Sequence, residues 1–184
     1  PNIFLTTKNR IGEMRKLYVP YWLCDCESLA DIVYDAEKKH TSREGDYEIT
    51  RTEHYLVRRR GTLDFDSIPV DGSVKMDDKI SESLEPYDLG KAVPFQSAVL
   101  AGAMADHADV TAEACVPRVK ERVESSTEAT MRGTVSGYTG VKTRRKFIRT
   151  ENGKAVPVLL PVWLITTDKE ENGKKTTYTF AING

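Results

Sequence analysis

The chain has 184 residues, 39% of them hydrophobic and 30% charged, and its 27 basic and 28 acidic side chains leave a net charge of −1. This suffices for one globular domain, or two small ones, with a real core. Because its charges balance, the chain lacks the overall basic excess that is typical of dedicated nucleic-acid binders. Such proteins obtain most of their affinity by neutralising phosphate groups. No apolar run approaches the roughly 18 residues that span a bilayer, and no signal peptide is visible.

The three cysteines argue against a disulfide framework, because their number is odd and two of them are only two residues apart. We therefore expect a reducing, cytoplasmic setting. The chain starts at Pro1 without methionine and stops directly after a strand-like run, so we expect it to be a piece of a longer protein.

The only two tryptophans stand in nearly identical phrases near the two ends of the chain, Pro20-Tyr21-Trp22-Leu23 and Pro161-Val162-Trp163-Leu164. Both phrases follow short apolar, β-branched or aromatic runs, which are typical of buried strands. We therefore predict two sheet units, each with a tryptophan packed in its core.

The first half of the chain is predicted to be strand-rich. In chain order, the expected elements are a strand at 3–5, a helix at 7–16, a strand at 17–26, an ambiguous stretch at 28–39, a turn at 44–46, an alternating strand from 47 to a break at Gly61, a strand at 63–68 and a helix at 76–84. Residues 86–96 are expected to connect the two units.

The second half is predicted to be a long helix followed by an antiparallel meander. The helix spans Thr111–Arg132, with Cys115, Val119 and Val123 on one stripe. Three strands follow, at 134–150, 155–168 and 176–182, joined by turns at Asn152-Gly153 and Asn172-Gly173. The predicted fold is therefore α+β, with sheet-and-helix units at 1–90 and 91–184 that form a candidate divergent duplication.

No recognised catalytic or metal-binding motif appears. Cys24 and Cys26 would point the same way on a strand, but a structural zinc site needs four ligands and no second pair exists. A small buried hydrophobe is the simpler interpretation. The segment 172–176 resembles the end of a phosphate-binding loop, but Asp168 stands where the motif needs its first glycine and Lys175 where it needs a Ser or Thr after the lysine. We expect no enzyme activity, no metal and no cofactor.

Two basic triplets, Arg58-Arg59-Arg60 and Arg144-Arg145-Lys146, are the candidates for nucleic-acid contact. Strand alternation splits each triplet between two faces, which halves its effect, and a solvated or edge-protecting face is the alternative. The residues that one face would present are Arg58, Arg60, Lys142, Arg144 and Lys146.

Several phrases, among them Tyr18 to Leu23, Pro69 to Ser73, Glu85 to Asp88, Pro161 to Leu164 and Tyr178 to Gly184, resemble a family of uncharacterised proteins from Gram-positive gut bacteria. The resemblance covers nearly the whole chain. It implies a parent with a zinc ribbon before this region and often a membrane helix after it, labelled zinc-ribbon protein or DNA helicase. The last helix and its hairpins also resemble small PepSY-type repeats.

The combined expectation is a non-enzymatic binding or scaffold module, cytoplasmic, with an unidentified protein partner and membrane anchoring only through parent segments. The alternative is a nucleic-acid-associated module that binds through its basic strands.

Overall fold

The computed structural model describes residues 10–74, 78–100, 104–171 and 174–184. The strands and helices are β1 (Arg10–Glu44), β2 (Tyr47–Asp71), α1 (Asp78–Ser83), β3 (Met104–Ala105), α2 (Ala112–Gly133), β4 (Gly140–Glu171) and β5 (Lys174–Asn183). Short 3₁₀ turns lie at Leu89–Lys91 and Ser97–Leu100. The strand order is β2-β1-β4-β5, and β3 pairs in parallel with β1.

The fold is mostly β, so the predicted α+β class with two sheet-and-helix units is wrong. Long strands replace several of the predicted elements. Arg10 to Lys16 belongs to β1 rather than to a helix, and the rest of that predicted helix, like the strand at 3–5, lies outside the described residues. β2 runs through Gly61, and β4 runs through the predicted turn at Asn152-Gly153.

Gly153 shows why a turn signal can mark a continuous strand. A Cβ at this position would lie 3.1 Å from the carbonyl oxygen and 3.2 Å from the Cβ of Asp25 on β1. Glycine in a strand often marks such a close backbone approach. At Gly61 an added Cβ would lie 3.3 Å from the Met131 side chain. Both glycines therefore serve packing rather than chain reversal.

The long helix and the first turn are confirmed. In α2, the side chains of Cys115, Val119 and Val123 are buried, as their four-residue spacing predicts. The backbone N–H of Ala114 donates to Thr111 Oγ1 at 3.3 Å, which caps the helix. Between β1 and β2, Gly45 adopts a φ of 62°, a left-handed conformation that glycine accepts without a steric penalty.

The described chain divides into two compact units, each built from several segments. Unit 1 comprises residues 1–23, 69–115 and 156–184, and unit 2 comprises residues 24–68 and 116–155. Neither coincides with the predicted segments 1–90 and 91–184, because each unit draws on both halves of the chain. β1, β2 and β4 each contribute residues to both units.

The core of unit 1 contains Val19 and Tyr21 of β1, Leu160 and Val162 of β4, and Leu84. Both Pro-x-Trp-Leu phrases therefore lie in this one unit, on neighbouring strands. The tryptophans are only half-buried, and the residues that precede them form the core. The repeated phrase thus marks two strands of a single core, and the prediction of one tryptophan-anchored core in each of two units is wrong.

The Trp22 side chain is held by one hydrogen bond within unit 1. Its Nε1–H donates to the carbonyl oxygen of Val110 at 2.9 Å. An indole N–H usually finds a partner when the ring is partly buried, because leaving it unpaired costs the lost bond to water. This bond secures the segment after β3 to β1.

The core of unit 2 packs β1 against α2 and β2. Its buried residues include Ile32 and Tyr34 of β1, Val57 of β2, and Met131 and Val135. The packing of a helix and a sheet face against one another provides most of the apolar burial that such a unit needs.

A buried pair of hydroxyl groups connects α2 to the face of β1 that packs in unit 2. Thr127 Oγ1 on α2 donates to Ser28 Oγ at 2.9 Å, and both side chains are fully buried. Because each hydroxyl has a partner, burying the pair avoids the penalty of an unsatisfied polar group.

The buried positions of β1 change parity along the strand. Val19 and Tyr21 are buried in unit 1, whereas the even positions from Cys24 to Ala36 are buried in unit 2. Since side chains alternate between the two faces of a strand, the two cores take different sets of positions from β1. The change falls where the chain passes from one unit to the other.

The alternation of buried positions also changes along β2. Ser67 has a φ of 56°, unusual for a residue other than glycine, and its N–H donates to Asp25 Oδ1 at 3.0 Å. A left-handed residue in a strand is typical of a bulge, which shifts the alternation by one. Accordingly, odd Val57 is buried before Ser67 and even Val70 after it.

We expect Gly153→Ala to destabilise the protein by about 1–2 kcal/mol, because the added methyl group overpacks against the Asp25 backbone, which cannot rotate away. Chemical denaturation monitored by circular dichroism measures this change. Gly133→Ala is the matched control, since nothing lies within 4 Å of an added Cβ there. Equal midpoints for both variants would contradict the close approach.

Candidate interaction surface

In the described part of the chain, β5 is the last strand in the order β2-β1-β4-β5. It pairs antiparallel with β4 in ten consecutive residue pairs, from Val162 with Asn183 to Glu171 with Lys174. Residues 172 and 173, the predicted Asn-Gly turn, lie outside the described residues. No strand in the described part of the chain pairs with the other side of β5.

The hydrogen-bond phase of this hairpin shows which backbone groups face the open edge. Gly184 N–H donates to the carbonyl oxygen of Pro161 at 3.0 Å. In antiparallel pairs the bonded positions recur every second residue. The even-numbered residues of β5 therefore bond to β4, and the N–H and C=O groups of Thr177, Thr179 and Ala181 point to the open edge.

Three large apolar side chains lie together on one face of this strand. Tyr178, Phe180 and Ile182 are 44%, 37% and 48% exposed, and their spacing of two places them side by side. We call these three residues the apolar ladder. In the β4–β5 register, Ile182 lies opposite Trp163, and Phe180 opposite Ile165. The ladder therefore continues an apolar face that β4 begins.

The opposite face of β5 is the one that packs inward. Ala181 contacts the core of unit 1, whereas its large neighbours Phe180 and Ile182 are directed outward. The strand thus buries a small residue and exposes the large ones. Sequence reasoning missed the ladder, because alternation shows that two faces exist but hydrophobicity alone assigns the larger residues to the interior.

The edge lacks the devices that usually protect an open strand. Residues 176–183 include no charged residue and no proline. Soluble proteins generally place lysines, prolines or bulges on such edges, because an unprotected edge pairs readily with another strand. The composition of β5 therefore differs from that of a charge-protected edge strand.

The basic strands, in contrast, are largely neutralised within unit 2. Arg58 Nε donates to Asp31 Oδ1 at 2.8 Å, and Arg144 lies 3.2 Å from Asp35 Oδ1. The hydrogen bond from Arg58 lowers the pKa of the Asp31 carboxyl. Both arginines therefore compensate carboxylates of β1 rather than present unpaired charge.

Lys146 is also paired, 2.8 Å from Glu128 Oε2 and 3.0 Å from Glu124 Oε1 on α2. Its hydrogen bonds to Glu128 and Glu124 raise the pKa of the Lys146 ammonium. Arg60 and Lys142, the other two predicted contacts, are exposed. Three of the five candidate residues thus have acidic partners within the protein, and nucleic-acid binding through them stays a prediction.

Lys38 is associated with a pair of aromatic rings on unit 2. Its Nζ lies 5.7 Å from the Tyr55 ring centroid and 5.5 Å from that of Tyr138, and the two rings are 5.3 Å apart. The Tyr55 hydroxyl donates to Glu53 Oε2 at 2.6 Å, which raises the pKa of that hydroxyl. The cation–π geometry occupies this ring pair with the protein's own ammonium group.

The cysteines behave as small buried residues. Cys24 and Cys26 are buried, and burial raises the pKa of both thiols, which favours the protonated, unreactive form. In the described ranges no three His, Cys, Asp or Glu side chains come together as ligands for a metal ion. These ranges also contain no helix long and apolar enough to cross a bilayer.

Comparison with known proteins identified one bacterial relative. The chain is 39% identical over 176 residues to the uncharacterized protein YdjG of Bacillus subtilis. The match covers 96% of this chain and 50% of YdjG, so the chain spans about half the length of that relative. No family model matches the chain, and no solved structure matches it. The zinc-ribbon, helicase and PepSY resemblances gain no support from these findings and stay predictions.

We expect the Asp31 carboxyl to titrate below its ordinary value of about 3.9, because Arg58 stabilises the charged form. A depressed folded-state pKa adds stability at neutral pH that is lost as the pH falls through that pKa. Carboxyl-detected NMR titration measures the midpoint. Arg58→Met should raise it towards the ordinary value, whereas Arg51→Met, on a residue paired with Glu53, should leave it unchanged. An unshifted midpoint in the parent protein would disprove the pairing.

Proposed function

We propose that this chain is a non-enzymatic binding module that takes up an extended polypeptide strand along the open edge of β5. The observation that carries this proposal is the combination of outward backbone groups and the exposed apolar ladder on one unprotected strand. Addition of a strand to a sheet edge is a recurring mode of peptide recognition, in which main-chain bonds provide affinity and alternate side chains provide specificity.

The backbone supplies the first part of the binding energy. Thr177, Thr179 and Ala181 each direct one N–H and one C=O to the edge. Each hydrogen bond formed there contributes about 0.5–1.5 kcal/mol net, because it replaces a bond to water. Several such bonds are needed before they outweigh the cost of ordering an incoming segment.

The apolar ladder supplies the second part and sets the preferred partner. An incoming antiparallel strand places every second side chain on the same face as Tyr178, Phe180 and Ile182. Covering these exposed side chains removes apolar surface from water, at about 25 cal/mol for each Å². With no charge in residues 176–183 to balance a charged partner, the favoured segment is uncharged and carries apolar residues at alternate positions.

The nucleic-acid alternative has weaker support. Phosphate binding requires basic side chains that are available to release counterions. Three of the five candidate residues already pair with carboxylates of unit 2. Strand binding instead uses backbone groups that point away from β4 and apolar side chains that are exposed on β5.

We expect Thr179→Pro to weaken strand binding at least about tenfold, because it removes an outward N–H and its ring obstructs the incoming strand. The probe is a fluorescein-labelled peptide with the uncharged sequence of residues 176–183, and fluorescence anisotropy gives its Kd. Thr179→Ala is the matched control, since it keeps the backbone N–H and should bind within about threefold of the parent chain. Circular dichroism verifies that both variants are folded.

The contribution of the ladder is measured with a second pair of variants. Phe180→Lys should reduce peptide affinity, because it places a charge within the apolar face, whereas Phe147→Lys should not, although Phe147 is 56% exposed on β4. Failure of the parent chain to bind the peptide, or equal loss in Thr179→Pro and Thr179→Ala, would refute the proposal.

A further inference from the structure

We infer that the face of the unit 2 sheet turned away from α2 binds single-stranded nucleic acid, through the guanidinium groups of Arg60 and Arg145 and the exposed ring of Phe147. We call these three residues the basic–aromatic patch. The inference goes beyond the proposed function, because it concerns another unit and another chemistry. Of the five predicted nucleic-acid contacts, only Arg60 belongs to this patch.

Contacts on the α2 side show which residues of β2 point away from the helix. Val57 is buried in the core of unit 2, and a Cβ at Gly61 would lie 3.3 Å from the Met131 side chain of α2. These odd positions therefore face α2. Because side chains alternate along a strand, Arg58 and Arg60 face the opposite side, and both are exposed.

The same argument gives the direction of two residues on β4. Lys146 forms ion pairs with two glutamates of α2, and Ile148 packs against the core of unit 2. Their neighbours Arg145 and Phe147 therefore face away from the helix. Both are exposed, with 56% of Phe147 accessible to solvent.

The alternation of β4 also shifts by one residue, as it does at a bulge. Val141 and Ile148 both pack against the core of unit 2, although one position is odd and the other even. Before the shift, Arg144 pairs with Asp35 of β1 at 3.2 Å, on the side away from α2. Arg144 and Arg145 therefore lie on the same face, whereas uninterrupted alternation would have separated them.

The charge of the patch is set by one carboxylate and three guanidinium groups. Both oxygens of Asp31 accept hydrogen bonds from Arg58, at 2.8 Å for Oδ1. Arg60 and Arg145 act on Asp31 at longer range and lower the pKa of its carboxyl further. In the described ranges neither of these two arginines forms a hydrogen bond or a close ion pair. Two positive charges therefore remain uncompensated.

The arrangement is complementary to a nucleic-acid strand. Since β1 lies between β2 and β4, Arg60 and Arg145 belong to strands about 10 Å apart. Guanidinium groups bind phosphate oxygens through a planar fork of donors. Phe147 offers a ring face on which an unpaired base can stack, as bases do on aromatic side chains of single-strand binders. A duplex, whose bases are already stacked, could use only the charges.

Fluorescence anisotropy of the whole chain with a labelled oligothymidylate of about 12 nucleotides tests the inference. We expect saturable binding below about 200 µM protein at about 50 mM salt. Arg60→Gln and Arg145→Gln should each weaken binding at least about threefold and reduce the slope of log Kd against log salt by about 0.7.

Arg51→Gln is the matched control, because it makes the same change in net charge on β2. Arg51 is paired with Glu53 and lies seven residues before Arg58, beyond the range of screened charges. This variant should bind within about twofold of the parent chain. Absence of binding by the parent chain, or an equal loss in the control, would overturn the inference.

Two further variants distinguish direct contact from an effect on folding. Phe147→Leu should weaken binding at least about threefold without changing the salt slope, because it removes stacking but no charge. Asp31→Asn should strengthen binding, because it removes the one carboxylate of the patch. A folded Asp31→Asn chain that binds more weakly than the parent would contradict the electrostatic argument, and circular dichroism verifies folding.

Competition experiments test the class of partner. The unlabelled single strand should compete at least about fivefold better than a duplex or an inorganic polyphosphate at equal phosphate concentration. Equal competition would overturn the assignment of a single strand. Thr179→Pro should bind the oligonucleotide as the parent does while it loses peptide affinity, so this inference and the proposed function fail separately.

Discussion

Both cores depend on the backbone pairing of β1 with a strand on each side. Because β2 and β4 flank it, β1 has hydrogen-bonding partners along both edges and can bury side chains in both units. It supplies Tyr21 to the core of unit 1 and Ile32 and Tyr34 to that of unit 2. Backbone groups buried without partners would cost more than these side chains contribute, so the cores require this pairing.

The sequence predicts those elements that depend on local periodicity. The spacing of Cys115, Val119 and Val123 identifies the buried stripe of α2, because a helix repeats every 3.6 residues whatever lies beside it. The glycine at position 45 likewise specifies the turn between β1 and β2 through its own φ angle. Such features can be predicted from the sequence because the residues that cause them lie close together along the chain.

Elements that depend on a distant neighbour are not readable in this way. Asn152-Gly153 has the composition of a turn, yet the strand continues because Gly153 lies against the backbone of Asp25, more than a hundred residues earlier. The repeated tryptophan phrase misleads for the same reason. Two similar sequences predict two similar strands, but whether these belong to one core or to two is decided by pairing, here of β1 with β4.

The apolar ladder of β5 shows where the same reasoning fails at a surface. Hydrophobicity alone predicts that Phe180 lies in the interior and that Ala181 contacts solvent. Here Ala181 contacts the core and Phe180 is directed outward. The large side chains of this uncharged strand have the hydrophobicity of a protein interior, but the fold places them on the exposed face. Sequence alternation shows that β5 has two faces, whereas only the packing of Ala181 against the core of unit 1 shows which face is buried.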